Sequence, residues 1–239
     1  MSSLFLRDDL AVIPIETGDL VELSGDEARH AVTVNRMRVG EHTTIGDGRG
    51  LMVRGVVVKA DPKQLEIAVE SSKWHEEPSP RLVLVQALAK GDRDELAVQA
   101  ATELGVSGII PWSADRSVSR WDAAKAEKGR ARWSAIVREA SKQSIRAWVP
   151  DVSPVQSSKQ VAALGPVLVL DPRAEIRLTD VELPTTGRVH LVVGPEGGIP
   201  DHEFATLGGT RVRLGVEVLR TSTAGPAAIA VLNARLGRW

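Results

Sequence analysis

Seven residues from Leu82 to Leu88, LVLVQAL, form an apolar run with one polar member, Gln86. A strand of that composition is buried on both faces, so it needs helices packed above and below it. The segments that follow supply them. Asp92 with Glu95 predicts a capped helix whose Leu96, Ala97, Ala100, Ala101 and Leu104 share one face, ended by Gly105. Val106 to Ile110 returns as a strand, and Trp133, Ile136, Val137 and Ala140 stripe a longer helix between about Asp122 and Ala147. VLVLD (167–171), RVHLVV (188–193) and RVRLG (211–215) are three further strands, with a short helix from Asp201 and a final helix from about Pro226 to Leu236. Alternating buried strands and helices predict an α/β domain with a parallel sheet over residues 81–239.

Upstream the pattern is different. AVIPIE, LVEL, HTTIG, LMVRGVVVKA and LEIAVE are short β-rich pieces separated by turns such as Gly46 to Gly50, which predicts a small barrel or sandwich over 1–72. Ser24 and Glu27 have the spacing of a capping box ahead of Ala28, Ala31 and Val32. The polar, Pro-rich stretch 73–80 reads as a linker.

Composition removes several chemistries. There is no cysteine, so disulfide scaffolds, thiol catalysis and iron-sulfur clusters are excluded, and a reducing compartment, the cytoplasm, is expected. The five histidines show no ligand spacing, which argues against a metal site, and no window of about eighteen apolar residues predicts a membrane span. GxSxG, a Walker lysine and GxGxxG between strand and helix are all missing. His30 and His190 read as structural imidazoles, since neither has a sequence partner that would make a site.

The net charge of -1 hides an uneven distribution. Residues 1–72 hold 8 basic and 12 acidic side chains, whereas 116–146 hold 9 basic and 3 acidic ones. Arg116, Arg120, Lys125, Lys128, Arg130, Arg132, Arg138, Lys142 and Arg146 are interleaved with Trp121 and Trp133. That mixture suits phosphate attraction plus base stacking, and it equally suits a solvated helix face. Trp133 lies in the apolar stripe and reads as core.

Two segments near the carboxyl end carry the functional signal. HLVVGPEGGIPDHEF (190–204) runs a buried strand into Gly194, Pro195, Glu196, Gly197 and Gly198 and then into a helix start. Such a turn fits either close ligand approach to backbone amides or a tight strand-to-helix reversal. About twenty residues later, RLGVEVLRTSTAGPAAIAVLNARLG (213–237) places a Gly turn, Arg220 and a Ser/Thr cluster before an Ala-rich helix. Loops after parallel strands form crevices at the carboxyl ends of those strands.

VGPEGG followed by LGVEVLRTSTA, with KGDRDELAVQAATELGV (90–106) and REASKQSIR (138–146) ahead of them, resembles the bacterial small-subunit ribosomal RNA uridine N3-methyltransferase family of the SPOUT superfamily. HAVTVNRMRVGE (30–41) resembles that family's amino-terminal PUA-like domain. The resemblance implies an S-adenosyl-L-methionine-dependent enzyme with a knotted carboxy-terminal α/β domain and a PUA-like β-barrel. It also implies a homodimer acting on 16S rRNA, expectedly in the 30S subunit, with neither membrane nor metal involved. The trefoil knot rests on the resemblance alone, because connection rules argue against knots.

The resemblance further implies that the cofactor is held by Leu170, Gly194, Pro195, Glu196, Gly197, Gly198, Leu214, Gly215, Leu219, Arg220 and Thr221, with Ala224 at the border. Arg220 is the candidate for stabilising a uracil anion, and Glu196 is either a base or a turn residue. RNA contacts are expected from Arg36 and Arg38 in the PUA-like part and from Arg116, Arg130, Arg132, Arg138, Lys142 and Arg146. The family motif usually reads Arg-Thr-Glu-Thr-Ala; this chain has Ser222 in place of the glutamate, with Ser222 and Thr223 left as helix caps. That exchange keeps a non-catalytic RNA-binding assembly factor open, and a SPOUT enzyme acting on another target, such as a transfer RNA ribose, is a further alternative.

Overall fold

The computed structural model describes residues 4–12 and 14–239. They divide into two compact units, one of residues 1–77 with 141–149, the other of 78–140 with 150–239.

The first unit is a five-stranded sheet in the order β1-β3-β4-β5-β2. Its strands are β1 (Leu4–Leu6), β2 (Leu20–Ser24), β3 (His42–Gly46), β4 (Leu51–Asp61) and β5 (Gln64–Trp74). β1 and β3 are parallel and the other pairs antiparallel. Two register shifts between β4 and β5, at Arg54/Gly55 and Val57/Lys59, bend the long ribbon as bulges do. Gly55 has to lack a side chain, because a Cβ there would lie 2.3 Å from the carbonyl oxygen of Ala68. Alternate residues turn inward to a core of Phe5, Val21, Leu23, Ile45, Val53, Val57, Leu65 and Ile67.

Two local readings change here. AVIPIE does not form a strand: Leu10–Val12 make a 3-10 turn, and Ile13 lies outside the described residues. Ser24 precedes α1 (Gly25–Arg29) without capping it, and Glu27 instead accepts from the Leu6 N–H and from Lys142. A turn of π-helix, His30–Val34, extends α1. β5 continues into the expected linker as far as Trp74, where Trp148 meets it edge-on at 6.1 Å and donates its indole N–H to the His75 carbonyl.

The second unit is a six-stranded sheet in the order β11-β9-β10-β6-β7-β8, parallel at every pair. Its strands are β6 (Arg81–Ala87), β7 (Gly108–Trp112), β8 (Asp151–Val152), β9 (Val167–Leu170), β10 (Arg188–Val193) and β11 (Thr210–Val212). Its helices are α2 (Arg93–Glu103), α3 (Ala123–Gln143, ending in the first unit), α4 (Ser158–Ala162), α5 (Asp201–Leu207) and α6 (Thr221–Arg235). β6 and β10 are buried on both faces, as their composition requires. Val83, Val85, Val167, Val169 and Val192 face α4 and α5 through Val161, Phe204 and Leu207. α6 lies against β6 and β10: a Cβ on Gly225 would sit 3.0 Å from Leu84 and 3.4 Å from Val193.

α2 is rotated from the expected face. Asp94, Ala97, Val98, Ala101 and Thr102 are buried, while Leu96 is 57% exposed. Asp92 caps nothing; the buried Asp94 accepts instead from the Ala89 and Glu95 N–H groups. α6 starts five residues earlier than Pro226, with Arg220 as N-cap and Ser222 and Thr223 inside the helix. Pro226 has no N–H for the Ser222 carbonyl, and the packing of this small-residue face on Leu84 and Val193 carries the helix through it. β11 stops at Val212, which leaves 213–220 as an irregular loop.

Candidate functional site

The order of the sheet puts the carboxyl ends of β9, β10 and β11 side by side, and the loops that leave them enclose a crevice of about 720 Å³. Its walls are Leu170 to Arg173, Val193 to Ile199 without Gly197, and Val212 to Thr221 without Val216. Ala224 closes the floor, and Arg93 and Arg116 stand at the side. Eleven of the twelve residues that the resemblance assigns to the cofactor therefore line one space; Gly197 does not.

The three glycines of the 194–198 turn have separate reasons. A Cβ on Gly194 would meet Ile199 Cγ1 at 2.8 Å, and one on Gly197 would meet Arg116 Cβ at 3.1 Å and its carbonyl oxygen at 3.2 Å. Those two glycines make room for protein. Gly198 has φ +72° and open space where a side chain would go, so backbone approach by a ligand is available there.

Two arginines bracket the turn. Arg93, at the start of α2, pairs with Glu196 at 3.0 Å, and Arg116 donates to the Gly197 carbonyl at 3.1 Å. Glu196 is thus an ion-pair partner in a turn. Asp115, the residue before Arg116, is held by a polar network. Glu203 is 1% exposed; its Oε1 accepts from the Asp115 N–H at 2.9 Å and from the Ser158 hydroxyl at 2.6 Å. Ser158 in turn accepts the Trp112 indole N–H at 3.1 Å, and His202 Nε2 lies 2.7 Å from Asp115 Oδ2.

Asp171 anchors the opposite wall. Burial pushes its carboxyl up, but the Arg173 N–H and the Arg211 and Arg173 guanidinium groups outweigh that and hold it below its ordinary value. Arg211 also lies over the Phe204 ring, 4.2 Å from its centroid. Gln86, fully buried, donates to Thr221 Oγ1 at 2.8 Å and so fixes the first residue of α6. Arg220 is exposed at the crevice with no hydrogen bond to its guanidinium among the described residues. Ser222 lies in the first turn of α6 and not on the crevice wall. The sequence reading missed Arg93, Asp171, Arg173 and Phe204; Arg93 lies in the KGDRDEL stretch, whose charge pattern alone gave it no role.

The expected RNA-contacting residues fall into different surroundings. Arg36 and Arg38 are exposed on the first unit, Arg36 with φ 55°. Arg130 donates to the Val152 carbonyl, and Arg132 makes two hydrogen bonds to the Glu95 carboxylate. Arg138 is half-buried. Lys142 is 5% exposed, with its ammonium 3.0 Å from Glu27 Oε1 and 3.3 Å from His30 Nδ1, which takes it away from solvent. Burial also lowers the Arg146 guanidinium to about 10. Trp133 is core, as its stripe position indicates. His190 is buried on β10, where desolvation and Arg188 lower its pKa. Among the described residues no helix is long and apolar enough to cross a membrane.

Comparison with known proteins bears on this arrangement. A family model described as an RNA methyltransferase domain matches residues 75–233, and one described as an RNA methyltransferase PUA domain matches 23–70. The ribosomal RNA small subunit methyltransferase E of Mycobacterium tuberculosis is 42% identical over 251 residues, covering 100% of this chain and 94% of the relative. That of Bacillus subtilis is 30% identical over 234 residues, covering 92% and 91%. Among solved structures, ribosomal RNA small subunit methyltransferase E from Neisseria gonorrhoeae bound to S-adenosyl methionine superposes with a TM-score of 0.85 at 29% identity, over 98% of each chain.

Proposed function

This chain belongs to the RNA methyltransferase family that includes ribosomal RNA small subunit methyltransferase E, and from that premise we propose that it methylates N3 of a uridine in 16S rRNA, using S-adenosylmethionine. The observation that carries the reading is the convergence of three loops, at residues 170–173, 193–199 and 212–221, on one crevice. The residues fit the cofactor: Gly198 leaves open space over its backbone, and Leu170, Leu214 and Leu219 offer apolar contact to an adenine. When bound, the cofactor supplies an electrophilic methyl group.

The chain's own residues do the rest. The neutral imide nitrogen has no available lone pair, so its proton has to pass to solvent water as the methyl group is taken up. Arg220, exposed at the crevice and without an internal partner among the described residues, is placed to stabilise the resulting charge on a uracil carbonyl. One such donor is commonly worth about 3 to 4 kcal/mol of barrier. Arg93 occupies the Glu196 carboxylate, which favours a holding role for Glu196 over proton abstraction. The target base has to leave its stack to enter, so looped or single-stranded RNA in the assembled small subunit suits the site. Arg116 at the crevice and Arg36 and Arg38 on the first unit are the cations we assign to RNA. Residues 1–72 act as the RNA-binding PUA-like domain and 81–239 as the methyltransferase domain. The chain works as a homodimer in the cytoplasm.

The test is transfer of labelled methyl to purified small subunits and to bare 16S rRNA, with the product nucleoside identified by mass spectrometry. N3-methyluridine in the small subunit is the expected product. RNA binding without transfer supports an assembly factor instead, and a methylated transfer RNA ribose supports the alternative substrate.

A further inference from the structure

A second cavity of about 400 Å³ adjoins the crevice, and nothing in the methyl-transfer chemistry uses it. The two spaces share their dividing segments. Arg93 lines the crevice while its neighbours Asp92 and Asp94 line the cavity, and Arg116 lines the crevice while Val118 lines the cavity.

The cavity is built around one indole. Trp121 is half-buried, and Trp133 meets it edge-on, with centroids 5.2 Å apart and planes at 71°. Its other support is Gly129 in α3: a Cβ there would come within 2.5 Å of the Trp121 ring. Glycine inside a helix costs about 1 kcal/mol relative to alanine, and here that cost makes room for the Trp121 ring against the helix. Trp121 lines the cavity together with the exposed Lys90 and Val118, the latter 72% exposed.

The charges around this ring are largely settled internally. Asp94 accepts from two backbone N–H groups, Glu95 and Arg132 pair with each other, and Lys90 and Asp92 also line the cavity. With three acidic and two basic residues on its lining the cavity does not attract phosphate, and its aromatic wall favours a nucleobase. We propose that the Trp121 cavity is a second nucleotide subsite, which stacks an unpaired base of the same RNA strand whose target uridine enters the adjoining crevice. This rests on reading the crevice as the methyltransferase site.

The experiment measures methyl transfer to purified small subunits, cofactor affinity, and binding to bare 16S rRNA, for Trp121→Ala, Trp121→Phe and Ser119→Trp. Loss of one stacked base weakens binding by about tenfold or more. Trp121→Ala should therefore raise KM for small subunits by at least that factor, with cofactor affinity and kcat at saturation unchanged, and should weaken bare-RNA binding equally. Trp121→Phe should recover most of the loss, because it keeps an aromatic face for the base. Ser119→Trp, which fills the cavity from its lining, should reproduce the defect and decides the matter if Trp121→Ala fails to fold. Wild-type KM in the cavity-filling variant overturns the proposal. So does a defect confined to particles while bare-RNA binding stays normal, since that assigns the cavity to a ribosomal protein. Absence of methyl transfer by the wild-type protein would instead sink the function on which the subsite depends.

Discussion

Gly197 and Gly198 are neighbours in one turn and are glycine for opposite reasons. At Gly197 a side chain would press on the backbone of Arg116; at Gly198 there is room, but φ is +72°. Gly197→Ala should therefore act through Arg116, at the 1 to 3 kcal/mol typical of overpacking. Gly198→Ala should cost about 1 to 2 kcal/mol as left-handed strain. Denaturant unfolding with calorimetry of cofactor binding separates them: the first variant should lose stability and RNA affinity together, and an unperturbed Arg116 in its structure would contradict the mechanism. Asp171 gives a pH test. Its folded pKa lies below the ordinary 3.8, so the folded state binds fewer protons there than the unfolded chain. The stability it contributes is complete above that value and is lost as pH falls through the depressed one. Asp171→Asn should flatten the acid limb of the stability curve below about pH 4, and an unchanged limb would mean that its arginine partners contribute nothing.

At the scale of elements, what the sequence disclosed depended on whether a single physical rule decided the outcome. β6 and β10 were legible because a strand buried on both faces has one composition, and the glycine turn after β10 together with the segment 213–221 pointed to the crevice. The face of α2 was not legible, because Asp94 takes an inward position to hold two backbone amides and thereby turns Leu96 outward. The start of α6 was hidden for a related reason. Proline punctuates local sequence, but burial of Gly225 and Ala228 against the sheet is a tertiary term that overrides it. Arg93 and Asp171 were missed because their significance lies in partners 103 and 40 residues away. α3 offers the converse case, where local propensity and tertiary packing disagree. Alanine at position 129 should add about 1 kcal/mol of helix stability, yet its methyl group would occupy the space of the Trp121 ring. Gly129→Ala should accordingly show no rise in thermal midpoint and weaker RNA binding; a raised midpoint with normal binding would refute the seating of Trp121.

At the scale of the molecule, the basic segment 116–146 is one stretch of sequence but not one surface. Its last part, from Ser141 on, belongs with the residues up to Val149 to the unit formed by residues 1–77. There Trp148 and Val149 fill the places that Gly50 and Gly48 leave open, and Lys142 forms a buried pair with Glu27. Net charge counted along the chain treats Lys142 as available to phosphate, whereas its 4% side-chain exposure makes it part of the interior. Removing one member of a buried pair leaves an uncompensated charge and costs about 3 to 5 kcal/mol, while replacing both can be close to neutral. Lys142→Met should therefore destabilise strongly, and Glu27→Gln combined with Lys142→Met should recover much of the loss. The salt dependence of RNA affinity should stay the same in the double variant, since a phosphate contact would remove slightly under one unit of slope. A shallower slope with full stability would return Lys142 to the RNA-binding surface and require the amino-terminal unit to close without it.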